Sequence, residues 1–251
     1  AAPWVDAELA AVVRQALRRD PSERFPDADA FLSALQKLAG DHEPLTAGVL
    51  VTVGDAARFA ARSGVETRAT RDAPPDESPS DSQIGARFLQ ALVGQTLGGR
   101  YQLRGILGEG GMGAVFEASD SDGRAVAIKL IRPEAVSSGA VRRFLREARA
   151  AGKVESPHVV RVLDAAVDDR GPFIVMELLR GRDLGDTIAA IGPLEPRLAA
   201  RLFSDACEGL AAAHEAGLVH RDIKPSNLFL HEEEDGTVTV KICDFGIAKE
   251  S

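Results

Sequence analysis

The sequence predicts an α+β fold, in which a small, mostly β lobe is followed by the beginning of a helical lobe. Strand-like apolar runs follow one another closely from about residue 97, and one helical segment, residues 138–154, interrupts them. A long Ala- and Leu-rich helix comes next, over roughly residues 196–216, and it is apolar on most faces. Such a helix is typical of the interior of a larger helical lobe.

Size and composition indicate a globular protein with room for one large or two modest domains. The chain has 251 residues, of which 45% are hydrophobic and 27% charged, with a formal charge of −8. The acidic balance weighs against a general nucleic-acid binder, which usually carries a basic face. Cys207 and Cys243 form neither a disulfide framework nor metal-ligand spacing, so we expect a reducing, cytoplasmic location. No apolar run is long enough to predict a membrane segment in this chain.

The first 40 residues predict two short helices. Residues 5–19 carry an apolar stripe at helical spacing, and Asp27 is a candidate N-cap for a second helix that ends at Gly40. Two such helices bury too little surface to be stable alone, so they require a partner surface. Residues 41–96 predict a linker, with a candidate strand at 49–53 and a disordered stretch at 71–83.

The β lobe is predicted from five runs. They are "YQLRGILG" (101–108), "AVFEAS" (114–119), "AVAIKLI" (125–131), "VVRVLDAAV" (159–167) and "PFIVMELL" (172–179). The segment "FLQALVG" (88–94) is apolar, but its pattern does not decide between helix and strand.

Three glycines at 108, 110 and 113 form a G-x-G-x-x-G pattern between two of these runs. Glycine lets backbone N–H groups approach phosphate oxygens without a Cβ in the way. A plain Gly-rich hairpin explains the pattern equally well. A dinucleotide-binding fold would place a helix directly after the glycines, whereas a strand is predicted here.

Lys129 lies inside an apolar strand, where a charge needs a partner or must face a cleft. Glu147 in the following helix is a candidate partner. Each has an ordinary alternative, the lysine on a solvated strand face and the glutamate on a solvated helix face among arginines.

The strongest signal is "LVHRDIKPSNLFL" (218–230) followed by "ICDFGIAK" (242–249). Asp222, Asn227 and Asp244 form a set of hard oxygen donors suited to Mg²⁺ and to a hydroxyl proton. Both strings in this order behind the glycine motif are very improbable by chance.

Residues 97–251 therefore resemble a eukaryotic-type protein kinase, and bacterial Ser/Thr kinases most of all. The resemblance implies a two-lobed fold, the cofactors ATP and Mg²⁺, and protein substrates with Ser or Thr hydroxyls. It implies that the glycine loop covers the ATP phosphates, and that Lys129 holds the α- and β-phosphates and pairs with Glu147. Asp222 would accept or orient the hydroxyl proton, and Lys224 would neutralise the γ-phosphate. Asn227 and Asp244 would hold the metal, with Phe245 and Gly246 orienting Asp244.

The same resemblance implies an adenine pocket. Its members would be Leu107, Val115 and Ala127 above the ring, Met176 as gatekeeper, the backbone of Glu177 and Leu179 at the adenine edge, and Phe229 below. Each of these residues by itself is more often a core residue than a ligand contact.

The opening stretch "DPSERFPDADAFLSAL" (20–35) resembles the last helices of a kinase C-lobe, although it precedes the kinase-like region. We expect residues 1–40 to end another kinase of a tandem protein, in which the two kinases are in contact. A circular permutation and a gene-prediction artefact are the alternatives. Arg24 would then pair with a glutamate upstream of residue 1. We also expect residues 97–251 to be truncated after the DFG segment and to transfer phosphate weakly or not at all alone.

Two rival functions stay open. A pseudokinase or nucleotide-binding scaffold would usually lack Lys129, Asp222 or Asp244, and all three are present. A small-molecule phosphotransferase of kinase-like fold is disfavoured by the complete "HRDIKPSN" string.

Overall fold

The computed structural model describes residues 7–39, 45–46, 88–110, 113–132 and 138–245. These residues form two compact units. The β unit contains residues 88–152 and 162–178, and the helical unit contains the N-terminal segment with residues 153–161 and 179–245. The predicted strand at 49–53, the stretch 71–83 and the glycines at 40 and 246 lie outside the described residues.

The β unit is built on a six-stranded antiparallel sheet with the order β1-β2-β3-β4-β6-β5. Its strands are β1 (Thr96–Leu97), β2 (Tyr101–Gly110), β3 (Gly113–Ser119), β4 (Ala125–Ile131), β5 (Val162–Asp168) and β6 (Gly171–Glu177). Four of the predicted runs coincide closely with strands. The fourth strand in the prediction begins too early, because Val159 and Val160 belong to the helical unit, where Val159 pairs in parallel with Ile242.

One face of this sheet carries the core of the β unit. The buried side chains include Phe116, Ile128 and Phe173 from three neighbouring strands. A helical turn over residues 88–92 adds Leu89 and Leu92 to the same core, which decides the state of that apolar segment. Successive side chains along a strand point to opposite faces, so every second residue of these strands lies on the other face of the sheet.

The described part of the helical unit contains four α-helices and a small three-stranded sheet. The helices are α1 (Ala7–Ala16), α2 (Ala28–Ala39), α4 (Leu184–Ile191) and α5 (Pro196–Glu215); α3 (Ser138–Ala151) belongs to the β unit and packs on β5. The sheet has the order β7-β8-β9, from β7 (Gly181–Asp183), β8 (Leu228–Glu232) and β9 (Val238–Ile242). Short 3₁₀ turns lie at Pro21–Glu23 and Pro225–Asn227.

Local sequence explains where these helices begin. Asp27 accepts a hydrogen bond from Ala30 N at 2.8 Å, so the predicted N-cap of α2 is present. Asp183 caps α4 by accepting from Asp186 N at 2.9 Å. Glu195 accepts from Leu198 N at 2.9 Å and is followed by Pro196, which suits the first turn of α5. Each cap satisfies a backbone donor that has no partner inside its helix.

Helix α5 is partly covered, and α2 and β9 both pack against it. Its buried residues include Ala200, Leu202 and Ala206, while Phe203 is 44% exposed. Helix α2 packs on α5, and α1 packs on α2.

None of the helices within the described ranges is both long enough and apolar enough to cross a membrane.

Asp168, at the end of β5, ties the first β-hairpin to the far edge of the sheet. Its carboxylate accepts from Gly98 N at 2.9 Å, from Arg170 N at 3.1 Å and from Arg170 Nη1 at 3.0 Å. Burial alone would raise the pKa of Asp168, but these donors and the Arg170 charge together hold it below its ordinary value. A lowered pKa in the folded state means that the ionised carboxylate stabilises the fold.

We predict that Asp168→Asn lowers the stability of the β unit by about 1.5–3 kcal/mol at neutral pH, the usual size for hydrogen bonds to a charged group. The contribution of Asp168 is present above the pKa of the unfolded chain and is lost as pH falls through the lower pKa of the folded state. Urea unfolding from pH 7 to pH 2 measures this. The exposed neighbour provides the control, Asp169→Asn. Equal loss at pH 7 and pH 2 in Asp168→Asn would contradict the assignment.

Candidate active site

The glycine motif forms the tip of the hairpin between β2 and β3. Gly110 pairs with Gly113 across the hairpin, and Gly108 pairs with Val115. A Cβ on Gly113 would collide with the backbone oxygen of Leu130, so packing requires glycine there. A Cβ on Gly108 or Gly110 would meet no described atom within 4 Å. Packing in the described residues thus explains the third glycine and leaves the first two for another reason, such as room for a ligand.

Strand register brings four predicted site residues onto one face of the sheet. Val115 pairs with Lys129, Ala127 lies two residues before Lys129 on the same strand, and Ala127 pairs with Met176. Directly paired residues and residues two apart share a face. The alternate residues of these strands, including Phe116 and Ile128, fill the core on the opposite face. The sheet itself therefore separates the core from a short apolar surface that carries the half-buried Lys129.

The other predicted residues of the β unit flank this face. Leu107 on β2 is 52% exposed. Glu147 is half-buried on α3, and Glu177 ends β6. Glu109, between the first two glycines, forms an ion pair with Arg132 at 2.8 Å and ties the hairpin tip to the end of β4. The pairing of Lys129 with Glu147 stays a prediction.

In the helical unit, the predicted catalytic residues lie together in the loop after α5. Asn227 Nδ2 donates to the backbone oxygen of Asp222 at 2.8 Å and approaches its Oδ2 at 3.3 Å. Lys224 Nζ lies 3.2 Å from the same Oδ2. Asn227 is buried, whereas Asp222 is half-buried and Lys224 is exposed. The carboxylate is thus fixed from the protein side by an amide and from the solvent side by a cation.

His220 orients this loop, a role that the sequence reasoning missed. Its Nε2 lies 2.8 Å from the backbone oxygen of Cys243, and Asp222 N donates to its Nδ1 at 3.2 Å. A neutral imidazole with the proton on Nε2 satisfies both bonds. The ring is 1% exposed and lies 4.9 Å from the ring of Phe245.

The β8–β9 hairpin brings Asn227 and Asp244 to the same end. Cys243 N donates to the backbone oxygen of Asn227 at 2.9 Å, one residue before Asp244. Asp244 adopts a left-handed conformation with φ 57°, and Arg221 does so with φ 63°. Such non-glycine backbone carries strain and is concentrated at functional sites. Phe229, which the kinase resemblance places below the adenine ring, is half-buried on β8, next to this end of the hairpin.

Comparison with known proteins identifies the family of this chain. The family model for the protein kinase domain matches residues 101–251. The chain belongs to the protein kinase family. It is 43% identical over 156 residues to a probable serine/threonine-protein kinase of Corynebacterium efficiens, covering 60% of this chain and 23% of that protein. It is 38% identical over 159 residues to the serine/threonine-protein kinase PrkC of Bacillus subtilis, covering 62% of this chain and 24% of that protein.

A solved structure shows the same fold. The kinase domain of PknI from Mycobacterium tuberculosis aligns with a TM-score of 0.54 and 29% identity, covering 62% of this chain and 63% of that chain. The kinase-like α+β fold is therefore confirmed. The chain spans about a quarter of the length of the curated kinases that it matches.

The three glycines of this kinase make a testable contrast. We predict that Gly113→Ala destabilises the β unit, because the new Cβ would collide with the backbone of Leu130. Gly108→Ala should fold normally, since a Cβ there meets no described protein atom. It should weaken ATP binding, because the Cβ would hinder the approach of the backbone N–H groups to the phosphates. Thermal unfolding and ATP titration separate the two effects.

Gly123, in the turn between β3 and β4, supplies the control. The φ of Gly123 is 80°, so alanine at this position would have a strained backbone. Its Cβ would meet no described atom within 4 Å. Gly123→Ala should lower stability modestly and leave ATP affinity unchanged. Weakened ATP binding in Gly123→Ala equal to that in Gly108→Ala would contradict a specific role for Gly108.

Proposed function

We propose that this chain is the nucleotide-binding and catalytic part of a Ser/Thr protein kinase that transfers the γ-phosphate of ATP to protein hydroxyls. The observation that carries the proposal is the arrangement around Asp222, whose Oδ2 is approached by Asn227 at 3.3 Å and by Lys224 at 3.2 Å. A carboxylate held in this way can accept a proton from a hydroxyl while the neighbouring ammonium offsets negative charge on a transferring phosphoryl group.

In the proposed reaction, the oxygen of a Ser or Thr hydroxyl forms a bond to the γ-phosphorus of ATP. The bond from that phosphorus to the β–γ bridging oxygen breaks, and ADP leaves with the electron pair. The hydroxyl proton passes to Asp222. Lys224 reduces the charge on the γ-phosphoryl oxygens, and its position beside the base is the feature that favours Ser/Thr over Tyr substrates by resemblance to the family. Most of the rate enhancement then comes from positioning and charge, because little covalent chemistry is required of the protein.

Residues of the β unit would bind the nucleotide. Backbone N–H groups of the glycine hairpin suit the phosphates, and Lys129 suits the α- and β-phosphates. Val115, Ala127 and Met176 share a face with Lys129, so they offer an apolar surface for the adenine ring. In this proposal Leu107 completes that surface, Phe229 contacts the ring from below, and the backbone of Glu177 and Leu179 binds the adenine edge.

The donor set of the helical unit fits the metal that the kinase family implies. Asn227 Nδ2 faces Asp222, which turns the amide oxygen away from that carboxylate and makes it available as a hard ligand. Asp244 follows on the adjacent strand end. We propose that Asn227 and Asp244 hold Mg²⁺, which when bound would offset phosphate charge and orient the phosphates.

We predict that Asp222→Asn lowers the rate of phosphate transfer by about 10²–10⁴-fold, since an amide cannot accept the proton. ATP affinity should change little. Radiolabelled transfer to Ser- and Thr-containing peptides, with Tyr peptides alongside, measures this on the full-length protein. The exposed carboxylate variant Asp169→Asn is the matched control and should keep full activity.

Other outcomes have distinct meanings. Unchanged transfer in Asp222→Asn would remove Asp222 as the base. ATP binding by the unmodified full-length protein without transfer to any peptide or to itself would favour the nucleotide-binding scaffold. Weak transfer by the 251 residues alone and the tandem arrangement of residues 1–40 stay predictions.

A further inference from the structure

The hairpin formed by β8 and β9 is flanked by both proposed metal ligands, and among the described strands β9 is the last of its sheet. Strand β9 pairs with β8 on one side only, in the sheet order β7-β8-β9. Unpaired N–H and C=O groups on such an edge need other partners. Asp244 lies two residues beyond the end of β9, so whatever fixes this edge also fixes the approach to Asp244.

Two separate segments of the helical unit occupy that edge. Near the end of β9, Val160 N donates to the backbone oxygen of Ile242 at 3.0 Å, and Ile242 N donates to that of His158 at 2.9 Å. At the start of β9, Val238 N donates to the backbone oxygen of Leu45 at 2.7 Å. Thr46 forms an antiparallel bridge with Thr237. Leu45 is 4% exposed, so the contact is a packed one.

The N-terminal segment is also attached through α2. Leu35 is 3% exposed, and α2 packs along α5. Gln36 Nε2 donates to Glu208 Oε1 on α5 at 3.3 Å, and Glu208 Oε2 lies 3.7 Å from His158 Nε2. His158 Nδ1 lies 3.0 Å from the backbone oxygen of Val240 in β9. This polar chain leads from α2 through α5 to the middle of β9.

Helix α5 approaches the same strand closely. A Cβ on Gly209 would lie 2.6 Å from the backbone oxygen of His158 and 2.9 Å from Ile242 Cδ1. A displacement of α5 would therefore be transmitted to His158 and β9 by direct contact, because packed interiors yield little.

We propose that residues 28–39 and 45–46 are an intramolecular clamp that positions the β8–β9 hairpin, and with it Asn227 and Asp244. The occupant of the α5 face and of the start of the β9 edge is this chain's own N-terminal segment. Leu35, Gln36 and Leu45 are positioning residues, since they act through α5 and β9 and touch none of the reacting groups. The effect on metal binding rests on the proposed kinase function, whereas the clamp itself does not.

Hydrogen exchange on the full chain tests the clamp directly. In Leu35→Asp with Leu45→Asp, the amide of Val238 should lose at least 10-fold of its protection, because its acceptor is the backbone oxygen of Leu45. Amides of Phe116 and Ile128 in the β unit should be unchanged, which separates local opening from global unfolding. Ser33→Asp on the exposed side of α2 is the control. Unchanged protection at Val238 in the double variant would overturn the proposal.

A conservative pair keeps the test valid if the double variant fails to fold. Gln36→Ala and Glu208→Ala, singly and together, should show non-additive losses of protection at Val240 and Val238 if the polar chain transmits the contact. Additive losses would overturn transmission through Glu208. Exchange and light scattering at two protein concentrations identify the occupant: protection at Val238 that rises with concentration, with a doubled mass, would place a second copy on this face and overturn the intramolecular clamp.

The functional consequence has its own readout. The Mg²⁺ concentration that supports half-maximal ATP binding should rise several-fold in Leu45→Asp and return towards normal in Leu45→Met, while thermal unfolding of the β unit stays unchanged. An unchanged Mg²⁺ requirement would overturn the positioning role. Absence of phosphate transfer in the unmodified protein would overturn the proposed function and leave the exchange result intact.

Discussion

The candidate active site of the helical unit depends on the backbone hydrogen bond from Cys243 N to the oxygen of Asn227. This bond closes the end of the β8–β9 hairpin at which the loop from α5 ends and the DFG segment starts. His220 then spans the same two segments, bonding the Cys243 carbonyl on one side and the Asp222 N–H on the other. A buried imidazole with both nitrogens engaged has one tautomer and one orientation, so the position of Asp222 follows from that of the hairpin.

The β unit positions its candidate nucleotide-binding residues through the register of its sheet. The sheet separates an apolar core from a second face that carries Lys129 beside Val115, Ala127 and Ile174. A lysine in the core would leave an unpaired charge away from water, which is costly, whereas register places it on the opposite face. The glycine hairpin follows the same division, since one of its glycines is required by packing against β4 and two are not.

The N-terminal helices show how a short segment is stabilised by contact with a larger unit. Arg24 Nε donates to the backbone oxygen of Arg18 at 2.7 Å and its Nη2 to that of Arg19 at 3.3 Å, so it ties the following turn to the end of α1. A glutamate partner upstream of residue 1 remains a prediction. Helix α2 packs on α5 of the same chain. The origin of residues 1–40 from another kinase copy also remains a prediction.

The sequence by itself determined the family and the order of the β strands along the chain, and it named the residues that are proposed for the candidate site. It could do so because glycine spacing, the HRD and DFG strings and the alternation of apolar residues are local patterns. Tertiary structure decided what those patterns do not contain. Val159 and Val160 form an apolar run that suits a strand, but they pair with β9 and not with the larger sheet. The buried role of His220, the approach of Gly209 to His158, and the contact of Leu45 with Val238 each join residues far apart in the chain, and such contacts are fixed only when hydrogen bonds and packing are satisfied together.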